Sequence, residues 1–342
     1  MTVDSARRRT VWTAAALLGA VTLALAAEGP APPGGAPPAG APAAAPVAAP
    51  PATPPPAPTG PVNGIRNKIA AGDLLSAESI LEVHRAENGE DAAYLSGLAW
   101  LARGALLLGD LDKAERYAAD VRGRCREAKS RDFALEEDHA AEVAYGTAIE
   151  VEAQRLARLK GSKKAAEYVR GELAGIMGPV ALRSRLNKRL NILTLEGTPA
   201  PELAIEDSIG DPPPTLKTLR GRPVVLFLWA EWCGDCKAQK SALARAVKRH
   251  AAEGVQFVAL TRYYDEPEKR SAEKERVAGV WATTYAEVGP LSIVFSTASM
   301  ERYGGSSTPT FVFIDGGGIV RRYMPTRLAE GEMERAIAVI LR

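Results

Sequence analysis

Apolar residues recur three and four positions apart between residues 63 and 195, which is the spacing of a helix with one buried face. Ala, Leu, Glu, Arg and Lys are abundant in this stretch, and Pro179 is the only proline from Ile65 to Leu195. Because these residue types favour helices and proline interrupts them, the pattern predicts an all-α domain over residues 63–195.

Strand and helix patterns alternate from residue 196 to the end of the chain. The apolar run Val224–Trp229 contains β-branched and aromatic residues, which is typical of a central strand covered on both faces. Gly316–Gly318 predict the turn of a hairpin, and residues 330–341 predict a closing helix. The pattern therefore predicts that an α/β domain follows the all-α domain.

The first 27 residues carry the features of an export signal. Arg7–Arg9 precede a stretch without charge, Val11–Ala27, and Ala24–Ala26 offer small residues at the spacing that a signal peptidase accepts. The stretch is shorter than the roughly 20 apolar residues needed to cross a bilayer, so an uncleaved anchor is the less favoured alternative. Either interpretation places the rest of the chain outside the cytoplasm.

Residues 28–62 are rich in proline and alanine. Fourteen of the 25 prolines lie between Pro30 and Pro61, and no charged residue occurs between Gly29 and Ile65. Such a segment has too few apolar side chains to form a core. It predicts a semi-rigid spacer on the order of 100 Å long or, if the signal is cleaved, a disordered tail.

A weak internal repeat runs through the helical segment. In three places a glycine precedes an alanine by five residues: Gly72 and Ala77, Gly109 and Ala114, Gly161 and Ala166. Together with Ala99–Ala102, these positions resemble a tetratricopeptide repeat, although the separations differ from its period of about 34 residues. Stacked helix hairpins would offer a concave surface to a protein partner, and the alternative is a bundle that only packs against its neighbour.

Length and charge narrow the classes of function. A chain of 342 residues predicts two globular units. Its 43 basic and 41 acidic residues give a net charge of only +2, which argues against nucleic acid as a partner. The three histidines, His84, His139 and His250, are too scattered to bind a metal ion, and no bound cofactor is implied.

Two cysteines, Cys233 and Cys236, stand three positions apart where the predicted strand ends and a helix begins. The unpaired N–H groups of a helix start stabilise a thiolate, so we expect Cys233 to be the nucleophile and Cys236 the resolving thiol. A zinc knuckle would need a second ligand pair, and a structural disulfide would normally close a longer loop. Cys125 is interpreted as a small buried side chain, with an intermolecular disulfide or a third redox thiol as alternatives.

The sequence Trp229–Lys237 resembles the active-site signature of thioredoxin-like proteins. Gly197–Leu203 and Leu216–Pro223 resemble the N-terminal hairpin and first strand of the TlpA/ResA-type thiol-disulfide oxidoreductases. Tyr303–Asp315 resembles the cis-proline loop of that family and the strand after it. The resemblance covers residues 196–342 and implies a thioredoxin fold.

The resemblance also implies roles for residues outside the cysteine pair. Thr308 and Pro309 would be joined by a cis peptide bond beside the dithiol and, with Trp232, would bind the extended backbone of a substrate. The partners it implies are disulfide-bonded proteins and an upstream membrane electron donor. Apocytochrome c maturation and repair of oxidative damage are the pathways that it suggests.

Two features depart from thioredoxin. Phe227 stands where thioredoxins have a buried aspartate, so Glu231 or a carboxylate of residues 262–288 is needed as the proton acceptor. Residues 262–290 are longer and more charged than thioredoxin requires and resemble the insertion of the TlpA/ResA type. Within them, Glu266–Arg276 predicts a solvated, charged helix.

Asp235 lies between the two cysteines and bears on the direction of electron flow. Its negative charge disfavours a neighbouring thiolate, which lowers the reduction potential and favours a protein-disulfide reductase. A disulfide oxidase or isomerase is the alternative within this class. From another class, the helical domain is a partner-binding scaffold and the dithiol domain an accessory.

Overall fold

The computed structural model describes residues 60–129, 139–176, 178–210 and 215–342. The predicted signal or anchor and nearly all of the predicted linker lie outside these residues. Within the described part of the chain, no helix is both long enough and apolar enough to cross a membrane.

The described residues before position 195 are helical. The helices are α1 (Val62–Ala70), α2 (Leu74–Asn88), α3 (Ala92–Leu108), α4 (Leu111–Lys129), α5 (His139–Gly175) and α6 (Val180–Thr194). The side chains of Asp73 and Asp91 cap α2 and α3 by accepting hydrogen bonds from the backbone N–H groups of Ser76 and Tyr94. The predicted all-α region is confirmed.

The glycine and alanine pairs of the weak repeat mark turns between packed helices. Gly72, Gly109 and Gly161 have φ angles of 79°, 86° and 82°, a left-handed conformation in which glycine avoids the clash of a Cβ atom. The alanines that follow, Ala77, Ala114 and Ala166, are all buried. Gly161 interrupts α5, which is therefore two helical segments. The resemblance to a tetratricopeptide repeat stays a prediction.

A mixed sheet with surrounding helices forms the rest of the molecule. Its strands are β1 (Asp207–Ile209), β2 (Val224–Leu228), β3 (Gln256–Thr261), β4 (Ser292–Phe295), β5 (Thr310–Ile314) and β6 (Val320–Met324). Its helices are α7 (Gly234–Ala238), α8 (Lys240–His250), α9 (Arg270–Thr284), α10 (Thr297–Arg302) and α11 (Glu330–Ile340). The strand order is β1-β4-β3-β2-β5-β6, with β2, β3 and β4 parallel to one another.

Strand β2 lies inside the sheet, and all five of its side chains are buried. Val225 and Phe227 point into an apolar cluster on one face of the sheet. Leu226 and Leu228 point into a second cluster on the other face. The predicted central strand, the hairpin between β5 and β6 and the closing helix α11 are confirmed.

The resemblance misplaced the first strand of the sheet domain. Leu216–Pro223 forms a turn, and the first strand is β1, which pairs with β4 at the sheet edge. The Glu202 carboxylate explains the difference, because it accepts hydrogen bonds from the backbone N–H groups of Leu216 and Lys217 at 2.6 and 2.9 Å and so closes the turn. A sequence pattern does not reveal a cap that lies 14 residues away.

The prediction of a solvated helix over Glu266–Arg276 holds for most of the segment, whose side chains are largely exposed, but differs from the structure at two points. Helix α9 starts only at Arg270 and buries Glu273, Val277 and Trp281, which share one face at a spacing of four residues. Because the segment contains many charged residues, its sequence pattern does not reveal that one face of the helix is buried.

Candidate active site

The cysteine pair lies between β2 and α7. A disulfide joins Cys233 and Cys236, whose Cα atoms are 5.3 Å apart. Cys233 is the N-cap of α7, and its Sγ accepts a hydrogen bond from the backbone N–H of Cys236 at 3.1 Å. That donor stabilises negative charge on Sγ when the pair is reduced.

The two sulfurs differ in their access to solvent. Cys233 is 5% exposed and lines an open groove of about 540 Å³, whereas Cys236 is fully buried behind it. Asp235 and Arg327 also line the groove and form an exposed ion pair at 3.4 Å. A molecule in the groove therefore meets the sulfur of Cys233 first.

The residues that the resemblance implies for binding lie together around this groove. The peptide bond between Thr308 and Pro309 is cis, and the carbonyl oxygen of Thr308 lies 3.3 Å from the Sγ of Cys233. Trp232 is 61% exposed and packs edge-on against Tyr264 with 5.4 Å between ring centroids. The structure brings all three residues to Cys233, and their roles in binding stay predictions.

Aromatic side chains form the floor beneath the dithiol. Phe227, in place of the thioredoxin aspartate, is fully buried and stacks on Phe311 with 5.2 Å between centroids. Trp229 packs edge-on against Tyr285 beside it, and burial raises the pKa of the Tyr285 hydroxyl. The Trp229 Nε1 and the Tyr285 hydroxyl are buried without a hydrogen-bond partner. The floor thus offers no carboxylate to accept a proton at position 227.

Glu231 is the better placed of the two kinds of proton acceptor expected from the sequence. Its Oε1 accepts a hydrogen bond from Arg276 Nε at 2.6 Å, while its Oε2 is buried without a partner. Within residues 262–288, Glu273 is also buried, but both of its oxygens accept backbone N–H groups, from Tyr264 and Asp265. Of these two buried carboxylates, only Glu231 keeps an oxygen without a partner.

Two positioning residues escaped the sequence reasoning. Arg276 holds Glu231, and this hydrogen bond raises the pKa of the guanidinium. The side-chain amide of Gln239 is buried and makes two bonds of 2.9 Å to the backbone of Leu328. Gln239 thereby fixes the segment that carries Arg327 along the groove. Neither contact is local in sequence, so no spacing pattern signals it.

Cys125 lies in the core of the helical region. Its side chain is buried, and its Sγ lies 4.0 Å from the carbonyl oxygen of Ala141. An intermolecular disulfide would require this side chain to become exposed. Among the described residues, no group of three His, Cys, Asp or Glu side chains is placed to hold a metal ion.

A dithiol at the start of a helix, facing a cis-proline loop where the interior strand β2 ends and the interior strand β5 begins, defines a thioredoxin-like thiol-disulfide oxidoreductase domain. Residues 197–323 match the model of the AhpC/TSA family. Over these residues, the sheet domain of this chain is similar to the AhpC/TSA family.

Parts of this chain are similar to individual known proteins. The thioredoxin-like protein YneN of Bacillus subtilis is 27% identical over 144 residues, which are 42% of this chain and 78% of YneN. The thiol-disulfide oxidoreductase ResA of the same organism is 35% identical over 65 residues, which are 19% of this chain and 36% of ResA. A solved thiol:disulfide interchange protein from Chlorobium tepidum TLS is 19% identical, with a TM-score of 0.33, and the match covers 42% of this chain and 97% of that one.

Proposed function

We propose that this protein reduces disulfide bonds of protein substrates outside the cytoplasm, with Cys233 as the nucleophile and Cys236 as the resolving thiol. The observation that carries the proposal is the difference between the two sulfurs: Cys233 lines the groove, and Cys236 is buried behind it. A substrate disulfide can approach only Cys233, so the second step must be internal.

The reaction has two exchanges. In the reduced protein, the Cys233 thiolate attacks one sulfur of the substrate disulfide, and the other sulfur leaves as a thiolate that takes up a proton. Cys236 then loses its proton and attacks the sulfur of Cys233, which releases the second substrate thiol. The substrate gains two electrons and two protons, and the protein is left with the Cys233–Cys236 disulfide. A membrane donor of electrons then reduces this disulfide again.

Glu231 is the proposed acceptor of the Cys236 proton. It lies two residues before Cys233, is buried, and has one carboxylate oxygen without a partner. Arg276 holds the other oxygen at 2.6 Å, which fixes the side chain. Because Phe227 stands where thioredoxins have a buried aspartate, that position offers no acidic group to accept the proton.

The reducing direction is supported by Asp235. Its charge lies next to Cys233 and disfavours the thiolate, although the exposed pairing with Arg327 offsets part of the effect. We therefore expect a potential nearer that of thioredoxin, about −270 mV, than that of the strong periplasmic oxidant, about −120 mV. A measured potential above about −180 mV would overturn the reducing direction.

Export is supported by the basic and apolar pattern of residues 7–27, which lie outside the described residues. Fusing residues 1–62 to a reporter that is active only outside the cytoplasm tests this part of the proposal. An inactive reporter would contradict export and would leave the redox assignment standing.

Three variants of the full chain, each with one cysteine replaced, test the redox assignment. We expect Cys233→Ser to lose the reduction of a model protein disulfide such as insulin, because the sulfur that faces the groove is gone. Cys236→Ser should accumulate a mixed disulfide with the substrate, because the resolving thiol is missing. Cys125→Ala is the matched control and should reduce insulin at the wild-type rate. Insulin reduction that survives in Cys233→Ser would reject Cys233 as the nucleophile and with it the proposal.

A further inference from the structure

Helix α6 of the helical region is fastened to the segment that leads into the cis-proline loop. Arg183 makes two bonds to the carboxylate of Glu301, at 2.9 and 2.8 Å. Asn191 Nδ2 donates to the carbonyl oxygen of Arg302 at 3.0 Å, and Lys188 Nζ donates to Ser307 Oγ at 2.7 Å. These contacts fix α6 beside the residues that immediately precede Thr308.

Gly304 permits this close approach. A Cβ atom at this position would lie 2.4 Å from Lys188 Cα, and the φ angle of +70° also favours glycine. The backbone of α6 and the backbone before the cis-proline loop are thus in direct contact.

A cavity of about 250 Å³ lies between α6 and the dithiol loop. Val180, Ala181 and Ser184 of α6 form one wall, and Trp232 and Thr308 lie on the opposite side. The cavity and the larger groove over Cys233 share Trp232, Ser306 and Thr308. The two spaces therefore lie next to each other along the cis-proline loop.

The chemistry of the cavity suits an apolar side chain. Val180, Ala181, Met300 and the ring of Trp232 supply apolar surface. Glu301 also lines the cavity, but Arg183 engages both of its carboxylate oxygens. The Arg262 guanidinium lies 4.5 Å from the centroid of the Tyr264 ring, an arrangement that favours aromatic neighbours.

We infer that α6 is a wall of the substrate groove, and that the cavity receives a large apolar side chain near the disulfide-bonded cysteine of an extended polypeptide substrate. The inference rests on the proposed function and adds a substrate class to it. Cys233 is so little exposed that the substrate sulfur must enter the groove, so the flanking residues must run along it in an extended form. The helical region then selects substrates rather than only accompanying the redox domain.

A comparison of peptide substrates that differ in one side chain tests the inference. We would prepare short peptides with one cysteine as a mixed disulfide with glutathione and move a phenylalanine along an alanine and serine background. For the full-length reduced protein we expect one position at which phenylalanine raises kcat/KM on the order of tenfold over alanine. Ala181→Trp, an exposed position whose new side chain fills the cavity, should bring this ratio close to one. Ala181→Glu should lower it as well, because it places a charge in the cavity.

Ile192→Trp is the matched control. Ile192 is exposed on α6, about 16 Å further along the same face, and lies outside the cavity. This variant should keep the wild-type ratio. If the wild type shows no preference for phenylalanine, or if Ala181→Trp and Ala181→Glu keep it, the inference is wrong.

Failure of the proposed function can be recognised separately. Wild-type reduction of 2-hydroxyethyl disulfide, which has no side chain for the cavity, reports on the dithiol alone. If that reaction is absent, the redox proposal fails. The cavity is then tested by anisotropy with labelled peptides in which serine replaces cysteine. Weaker binding of the phenylalanine peptide to Ala181→Trp than to the wild type supports the inference, and equal binding contradicts it.

Discussion

The helical region and the sheet domain have different interiors. Beneath the dithiol, the sheet domain buries aromatic rings, among them Phe227, Trp229 and Tyr285. The helical region buries a carboxylate among arginines: Glu150 is only 4% exposed and faces Arg185 at 2.7 Å and Arg103 at 3.4 Å. The interior around Glu150 therefore depends on charge, whereas the aromatic rings beneath the dithiol carry none.

Several arginines surround the single carboxylate of Glu150. Burial lowers the pKa of Arg103 and Arg189, and the Arg189 Nε is buried without a hydrogen-bond partner. Burial alone would raise the pKa of the Glu150 carboxyl, but the facing Arg185 holds it below its ordinary value. One carboxylate therefore compensates several partly buried cations. The stability of the helical region should depend on that carboxylate more than on any other acidic group nearby.

The largest expected effect comes from Glu150→Gln. Removing the charge leaves the arginines uncompensated, and we expect a loss of about 3 kcal/mol in the free energy of unfolding, measured by urea denaturation at neutral pH. Glu167→Gln, at an exposed residue of the same helix, is the control and should change little. An equal effect of both substitutions would show that the burial of Glu150 among arginines is not what makes its charge important.

The charge of Glu150 should also make the stability of the protein depend on pH. Because the folded-state pKa of Glu150 is lowered, its stabilisation is present above the ordinary glutamate pKa and is lost as the pH falls through the lowered value. The difference in stability between wild type and Glu150→Gln should therefore shrink in acid. A difference that is constant with pH would show that the charge of Glu150 is not the cause.

The sequence predicts those parts of the site that depend on local patterns and misses those that depend on contacts between distant segments. The buried strand before Cys233, the turn and the helix after it are local patterns, so the place of the dithiol in the fold could be predicted from a few neighbouring residues. The wall formed by Ala181 and Ser184, and the hold of Arg276 on Glu231, depend on contacts between distant segments. Small residues on a helix and an arginine among other charges carry no signal of such contacts.

Gly304→Ala probes the junction of the two regions. The added methyl group would press on the backbone of Lys188, and we expect a loss of about 2 kcal/mol in unfolding free energy together with a weaker preference for the phenylalanine peptide. Gly254→Ala is a close match, with a φ angle of +76° and no atom within 4 Å of the new Cβ. It should cost only about 1 kcal/mol and keep the peptide preference. If both variants behave alike, the contact with Lys188 has no role.

Arg183 and Glu301 probe the same junction through charge. Their side chains are partly buried and joined by two hydrogen bonds, so a double-mutant cycle with Arg183→Gln and Glu301→Gln should give a coupling of about 1 kcal/mol. The exposed pair Arg85 and Glu82, at 3.4 Å, is the reference and should give a smaller coupling. A coupling energy near zero would show that the charges of Arg183 and Glu301 do not fasten α6.

The smallest expected effect concerns the sheet domain alone. Asp235→Asn removes an exposed negative charge beside Cys233, so the reduced thiolate form becomes more stable and the potential should rise by about 10 to 20 mV. The rise should shrink with added salt, because exposed charges are screened. Glu275→Gln, at an exposed residue of α9 outside the groove, should leave the potential unchanged in the same dithiothreitol equilibration. A fall in potential on Asp235→Asn would contradict this effect and would show that Asp235 acts mainly by holding the positive charge of Arg327 near the thiolate.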